Sequence, residues 1–302
     1  LDVSLKPFAY VYPPNEPAAI AEWVGAELVA AGMAVSVLSH QSNFSEVLAV
    51  CQRAEAVIFH GGLTQLSWLF DTPEKVSAWH LEIRKPRVAI STEMLFCEPP
   101  QHGTFRKRAH QSMRVMTHLV GLNDSPALDG ENFRLRQTGA PLLVMPAVAF
   151  AFSRYTNTTP WAQRQARYCF LGTWHGIQRQ VFLRELVRES LVDILNIPKS
   201  DPLEAIAAFN RYQGVISLRG NHGVAVPFMP RLMEGAACGC FVCDLQDLEP
   251  GQWSQAVARV RDTDWAAAEQ LVAGHLASVK QFSPVPYFSA VTSWLKEHPY
   301  AG

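Results

Sequence analysis

Short apolar runs alternate along the first half of the chain with stretches in which apolar residues recur three and four positions apart. Phe8 to Tyr12, Ala34 to Leu38, Ala56 to Phe59 and Val88 to Ser91 have the length and composition of buried strands. Between them, Pro17 to Ala31 carries Ile20, Trp23, Val24 and Leu28 along one helical stripe and stops at Gly32, while Phe44 to Arg53 and Pro73 to Ile83 also read as helices. Strands apolar on both faces, each joined to the next by a helix, predict a parallel sheet covered on both sides. The rhythm then loosens. A helix over Arg106 to Met116, a strand over Thr117 to Gly121, a helix over Asn132 to Gly139 and a strand over Leu142 to Met145 are expected. Ala151 to Gln163, rich in Ser, Thr and Asn and holding Pro160, reads as a linker.

After the linker the alternation restarts. Tyr168 to Leu171 is a predicted strand, followed by the turn Gly172 to Gly176, a helix over Gln178 to Ser190, a strand over Val192 to Leu195, a helix over Pro202 to Arg211 and a strand over Val215 to Leu218. A polar loop from Arg219 to Gly223 leads to a short helix over Pro230 to Ala237, a strand over Cys240 to Cys243, a helix over Asp264 to Phe282 and a final amphipathic stretch over Tyr287 to Glu297. Two runs of one pattern predict an α/β protein of two Rossmann-like domains facing each other across a cleft. The expected division is residues 1–150, an N-terminal domain; 164–285, a C-terminal domain; and 286–302, a final helix.

Length and composition agree with that division. The 302 residues suit two domains of about 150, and 48% hydrophobic with 18% charged residues is enough to fill close-packed cores. Lys and Arg total 26 against 27 for Asp and Glu, so no net positive field draws a nucleic acid. Leu1 to Pro7 lacks the basic-then-apolar pattern of a secretory signal, and the longest apolar stretch, Pro141 to Phe152, is short and broken by proline. The expectation is a cytoplasmic protein without a membrane span. Of six cysteines, Cys238, Cys240 and Cys243 cluster, but a tetrahedral zinc site needs four ligands and no second pair lies nearby, so they read as small buried apolar groups and no metal or other cofactor is expected.

Ligands of open α/β sheets sit beyond the carboxyl ends of the strands. The turn at Gly172 and Thr173 is one such place, where glycine lets backbone approach an anion at a helix N-terminus. A second is the Pro230 helix, in which Arg231 and Glu234 stand three apart on one face, followed by the small residues Gly235, Ala236 and Ala237 and by Gly239 ahead of a buried strand. An exposed ion pair is the plain reading of that spacing.

The arrangement Arg231, Glu234, Gly235, Ala237 and Gly239 before an apolar strand resembles the donor-site motif of GT-B glycosyltransferases of the group-1 type, particularly the spore-maturation CgeB-like branch. Tyr168 to Thr173 with Arg179 resembles that branch's opening of the C-terminal domain, and Val215 to Leu218, preceded by a helix holding Asn210, its penultimate strand. The likeness spans residues 165–250. In the N-terminal half the nearest echoes are Lys85 to Glu93 and Leu143 to Ala147. The resemblance implies a transferase that moves a sugar from a nucleotide-diphosphate sugar to an acceptor hydroxyl without a metal, with the acceptor in the N-terminal domain (1–150), the nucleotide-sugar donor in the C-terminal domain (164–285) and the last helix (286–302) packing back on the N-terminal domain. It implies that Glu234 accepts from the donor ribose, that amides near Gly172 and Thr173 hold the diphosphate, and that arginine neutralises it, with Arg179, Arg219 and Arg231 the candidates; His222, in the polar loop, reads either as a further phosphate or acceptor contact or as an ordinary loop histidine. Val226 stands where many retaining relatives carry a second glutamate. An inverting enzyme needs a general base in the first half: His60, placed just past a strand end, Asp71, also suited to cap the helix after it, and Glu93 are the candidates.

Other readings remain. A nicotinamide dehydrogenase would need glycines where Tyr12 to Glu16 has two prolines. A catalytically inactive glycosyltransferase-like protein or a sugar-binding partner would keep the same fold, and slow hydrolysis or tight binding of a nucleotide sugar separates the two.

Overall fold

The computed structural model describes residues 7–12, 18–38, 42–61, 66–91, 111–122, 129–145, 152–172, 177–197, 201–218, 229–245, 250–280 and 283–300. The chain divides into two compact units, one of Leu1–Ala151 with Pro284–Gly302 and one of Phe152–Ser283.

In the first unit, β1 (Phe8–Val11), β2 (Ala34–Leu38), β3 (Val57–Gly61), β4 (Arg87–Ser91), β5 (His118–Leu122) and β6 (Leu142–Met145) form a sheet in the order β2-β1-β3-β4-β5-β6. The pairings are parallel. The helices of this unit are α1 (Ala18–Ala30), α2 (Phe44–Arg53), α3 (Pro73–Glu82) and α4 (Asp129–Arg136). Strand residues alternate between two buried faces, as period-two side chains must. Ala9, Val11, Val57 and Phe59 join Cys51 of α2 and Trp79 of α3 in one cluster. Phe8, Tyr10, Ile58 and Val88 join Val24 and Leu28 of α1 in the other, with Phe288 and Val291 from the end of the chain. Trp79 is fully buried and its Nε1 donates to Leu69 O at 3.2 Å; burying a large apolar side chain contributes about 1.5–3 kcal/mol.

The second unit repeats the plan with β7 (Gln165–Leu171), β8 (Val192–Leu195), β9 (Tyr212–Leu218) and β10 (Phe241–Leu245), parallel and ordered β10-β9-β7-β8. Its helices are α5 (Ile177–Arg188), α6 (Pro202–Phe209), α7 (Met229–Ala237), α8 (Trp253–Arg261) and α9 (Trp265–Val279). The last helix, α10 (Pro284–Glu297), packs in the first unit, where Phe288 stacks on Phe8 with ring centroids 5.7 Å apart.

Several boundaries differ from the sequence reading. β7 starts at Gln165 and β9 at Tyr212, each three residues earlier than expected, and α4 starts at Asp129 rather than Asn132. The first five residues of the expected helix over Arg106 to Met116 lie outside the described residues; Gln111 to Met113 are helical and Arg114 already turns. α8 has no counterpart in the expected elements. The stretch read as a linker holds two 3-10 turns, Phe152–Arg154 and Trp161–Gln163. Arg164 at its end is 5% exposed, and its guanidinium donates to Thr159 O (2.9 Å) and Asn157 Oδ1 (2.6 Å) of the same stretch.

In each sheet the chain leaves its first strand toward one side and returns on the other. The switch points therefore lie between β1 and β3 and between β7 and β9, and it is beyond the carboxyl ends of such strand pairs that open α/β sheets bind ligands.

Candidate functional site

At the switch point of the second sheet, β7 ends at Leu171 and Gly172 follows, exposed. A Cβ on Gly172 would lie 2.8 Å from the tip of the Phe170 ring. Arg179, in the first turn of α5, reaches back over the same ring, its guanidinium carbon 5.8 Å from the centroid, and Nη2 donates to Leu218 O at 2.7 Å. Leu218 is the last residue of β9, so one guanidinium bridges the ends of the two strands that flank the switch point. Burial pulls the Arg179 pKa below its ordinary value, yet an arginine stays charged at neutral pH. A fixed cation at this station suits an anion.

Glu234 sits in α7, the helix that follows β9. Glu234 is 3% exposed, so it is not the surface carboxylate that its spacing from Arg231 suggests. The cause is close packing. Gly235 lies so near β9 that a Cβ there would be 2.5 Å from Val215 Cγ1, and the helix therefore comes down on the sheet. The small residues of this stretch serve that contact. At Gly239, φ is +78°, a left-handed turn that ends the helix before β10. Cys238, Cys240 and Cys243 are buried, and burial pushes all three thiols up, Cys240 to about 12 and Cys243 to about 11. Among the described residues no group of three His, Cys, Asp or Glu side chains could hold a metal.

The structure thus brings Gly172 and Arg179 together at one sheet end and sets Glu234 on the adjoining helix. Thr173, Arg219 and His222 lie outside the described residues, and so does the side chain of Arg231.

No family model and no curated protein matches the sequence. Solved structures do match over nearly the whole chain. An alpha-glucosyltransferase in complex with UDP-glucose and DNA containing an abasic site superposes with a TM-score of 0.60 at 9% identity, covering 91% of this chain and 95% of that one. Anabaena HepE, in complex with UDP and glucose, gives 0.54 at 12% identity, covering 96% and 99%. A putative UDP-N-acetylglucosamine 2-epimerase from Listeria monocytogenes gives 0.54 at 9% identity, covering 97% of each. The chain has a GT-B fold. At these identities the likeness is one of architecture, and the GT-B fold hosts both transferases and epimerases in these structures.

Within this GT-B chain, the acceptor-side candidates fare differently. His60 is not past a strand end. It is the penultimate residue of β3, 4% exposed, because α10 covers that face of the sheet: the His60 ring lies edge-on to Phe288 with centroids 5.7 Å apart. Its Nδ1 is 2.6 Å from Tyr10 Oη, Nε2 has no hydrogen-bond partner among the described residues, and burial lowers its pKa to about 4. Asp71 does not cap α3. Thr72 does, its Oγ1 accepting from Lys75 N at 3.3 Å, because Pro73 sets Thr72 at the cap position. The Asp71 carboxylate instead meets Lys75 Nζ at 2.8 Å with half its side chain exposed. It borders a shallow depression of about 480 Å³ lined also by Thr72, Val76, His80, Gln111 and Arg114. Glu93 lies outside the described residues. Among the described residues no helix is long and apolar enough to cross a membrane.

Sequence reasoning passed over two features. Arg114 and His80 come from separate segments with no motif between them. Arg164 binds backbone carbonyls and amide side chains, and such partners leave no mark in a sequence.

Proposed function

We propose that the chain is a metal-independent glycosyltransferase that takes a sugar from a uridine-diphosphate sugar held by its second unit. The observation that carries this reading is the Arg179 guanidinium fixed on Leu218 O at the switch point, beside the helix that buries Glu234. Arg179 meets the diphosphate, with Gly172 and Thr173 offering backbone amides and Arg219, Arg231 and His222 adding positive or donor groups. Glu234 accepts from the ribose hydroxyls, a role for a group that offers acceptors alone when ionised. The uridine nucleotide is supported by the UDP-glucose and UDP of the superposed structures, and the motif order over residues 165–250 resembles that of the CgeB-like branch.

In the reaction an acceptor oxygen attacks the anomeric carbon, the bond from that carbon to the diphosphate oxygen breaks, and the nucleotide diphosphate leaves carrying the electron pair. The fixed guanidinium stabilises the charge gathering on the leaving group, the largest electrostatic demand of the step. The acceptor's proton passes to a base of the first unit. Of the two candidates among the described residues, Asp71 is the better placed, since its carboxylate meets solvent beside a concavity while His60 is enclosed and its basicity lowered by burial.

The test is calorimetric titration with UDP-glucose and UDP-N-acetylglucosamine, followed by an assay of UDP release against a panel of hydroxyl acceptors. Micromolar to millimolar binding, weakened by Glu234→Gln, is expected. Absence of binding at millimolar donor refutes the reading; binding with interconversion of the free nucleotide sugar and no transfer makes the chain an epimerase instead.

A further inference from the structure

Arg164 is a cation enclosed within the second unit, and carbonyl and amide oxygens surround it. Nη2 donates to Cys238 O at 2.8 Å and Nη1 to Gly239 O at 3.1 Å, the carbonyls just past α7. Nη2 also donates to Asn210 Oδ1 at 3.1 Å, which ties the same group to the end of α6. A guanidinium at this place meets the negative end of the helix dipole. Cys238 connects backward as well, for its N–H donates to Glu234 O at 3.1 Å. Arg164, Cys238 and Glu234 therefore lie in one hydrogen-bonded run, with a buried cation at one end and the residue bearing a buried carboxylate at the other.

The charges of Arg164 and Glu234 both reach the residue between them, Cys238. The Cys238 thiol, raised first by its own burial, senses both: the Glu234 carboxylate raises it further and the Arg164 guanidinium lowers it.

We propose that Arg164 is the positioning residue of the donor site: it pins the C-terminal end of α7 through the Cys238 and Gly239 carbonyls and so holds Glu234 toward the donor ribose. The proposal rests on the donor-site reading given above. Removing Arg164 acts on the donor through Glu234, so the effects of the two residues are coupled.

A double-mutant cycle measures that coupling. Wild type, Glu234→Gln, Arg164→Met and the double variant are titrated calorimetrically with UDP-glucose. Each single change is expected to weaken binding about tenfold, and the double variant to fall no more than about twofold below the weaker single, because contacting residues are non-additive. Arg167→Met, which removes a half-exposed cation on β7 paired with Asp193, leaves affinity unchanged. Arg164→Lys keeps the charge with fewer donors; a loss of about threefold is expected, and it carries the same cycle if Arg164→Met does not fold. Losses that add, or Arg164 variants that bind like wild type while Glu234→Gln binds weakly, overturn this proposal and leave the donor site standing. Unchanged affinity in Glu234→Gln, or no binding by wild type, overturns both.

Discussion

The guanidinium of Arg179 stands 2.7 Å from the carbonyl oxygen of Leu218, so a side chain from the helix after β7 is latched to the end of β9. The latch fixes the direction of the cation over the Phe170 ring. Arg179→Met removes the charge and the latch together and is expected to weaken UDP binding about 10- to 100-fold; Arg179→Lys, with a point charge on a flexible stem, recovers part of the loss. Calorimetric titration with UDP decides, and an affinity equal to wild type moves the diphosphate site elsewhere.

Asp71→Asn separates chemistry from stability. The Asp71–Lys75 bridge is exposed and spaced one helical turn, a geometry that contributes at most about 0.5 kcal/mol. The variant should melt within about 1 °C of wild type. As the base, Asp71 is expected to carry a kcat loss of about 100-fold or more with donor KM unchanged. A normal kcat passes the role to another residue of the first unit.

His60 makes the first unit acid-sensitive. Its pKa is about 4 in the folded protein against an ordinary 6.5, so between those values the unfolded chain binds a proton that the folded chain refuses. Stability from this group is complete above about pH 6.5, falls as pH drops toward 4, and levels off below; its full span is about 3 kcal/mol. His80, His118 and His275, all lowered chiefly by burial, add slope of the same sign. Urea unfolding of wild type and His60→Asn across this range should show a flatter profile for the variant. Parallel profiles refute the assignment.

Gly235→Ala places a methyl group 2.5 Å from Val215 Cγ1, which forces α7 away from β9. A destabilisation of about 1–3 kcal/mol is expected, as for other overpacked cores. Adding Val215→Ala makes room and should restore most of the stability and, with it, donor affinity. If the pair of changes destabilises additively, the close approach is not what the glycine serves.

How far the sequence spoke depended on the range of the forces involved. Strands such as Phe8–Val11 and Val57–Gly61 are buried on both faces, so their own residues announce them. The cap at Thr72 and Pro73 is equally local. The start of β9 was hidden because Gly214 interrupts its apolar run, and that glycine is explained at a distance: a Cβ there would lie 2.4 Å from the Tyr168 ring and 3.0 Å from Trp265. The sequence placed Glu234 on a short helix ahead of a strand, as found, but its burial follows from Gly235 meeting a strand twenty residues earlier in the chain, about the reach at which periodicity is silent. His60 looked like an open loop residue since the helix that covers it, α10, is the last in the chain.

That placement of α10 also orders events during synthesis. Residues 152–283 emerge from the ribosome as a complete set, able to close their own sheet at once. The earlier-made sheet must wait with Phe8, Tyr10 and Ile58 uncovered until Phe288 and Val291 arrive. The half translated first is thus the half finished last, and a nascent chain halted before Pro284 would carry a mature second unit joined to an unsealed, chaperone-seeking first one.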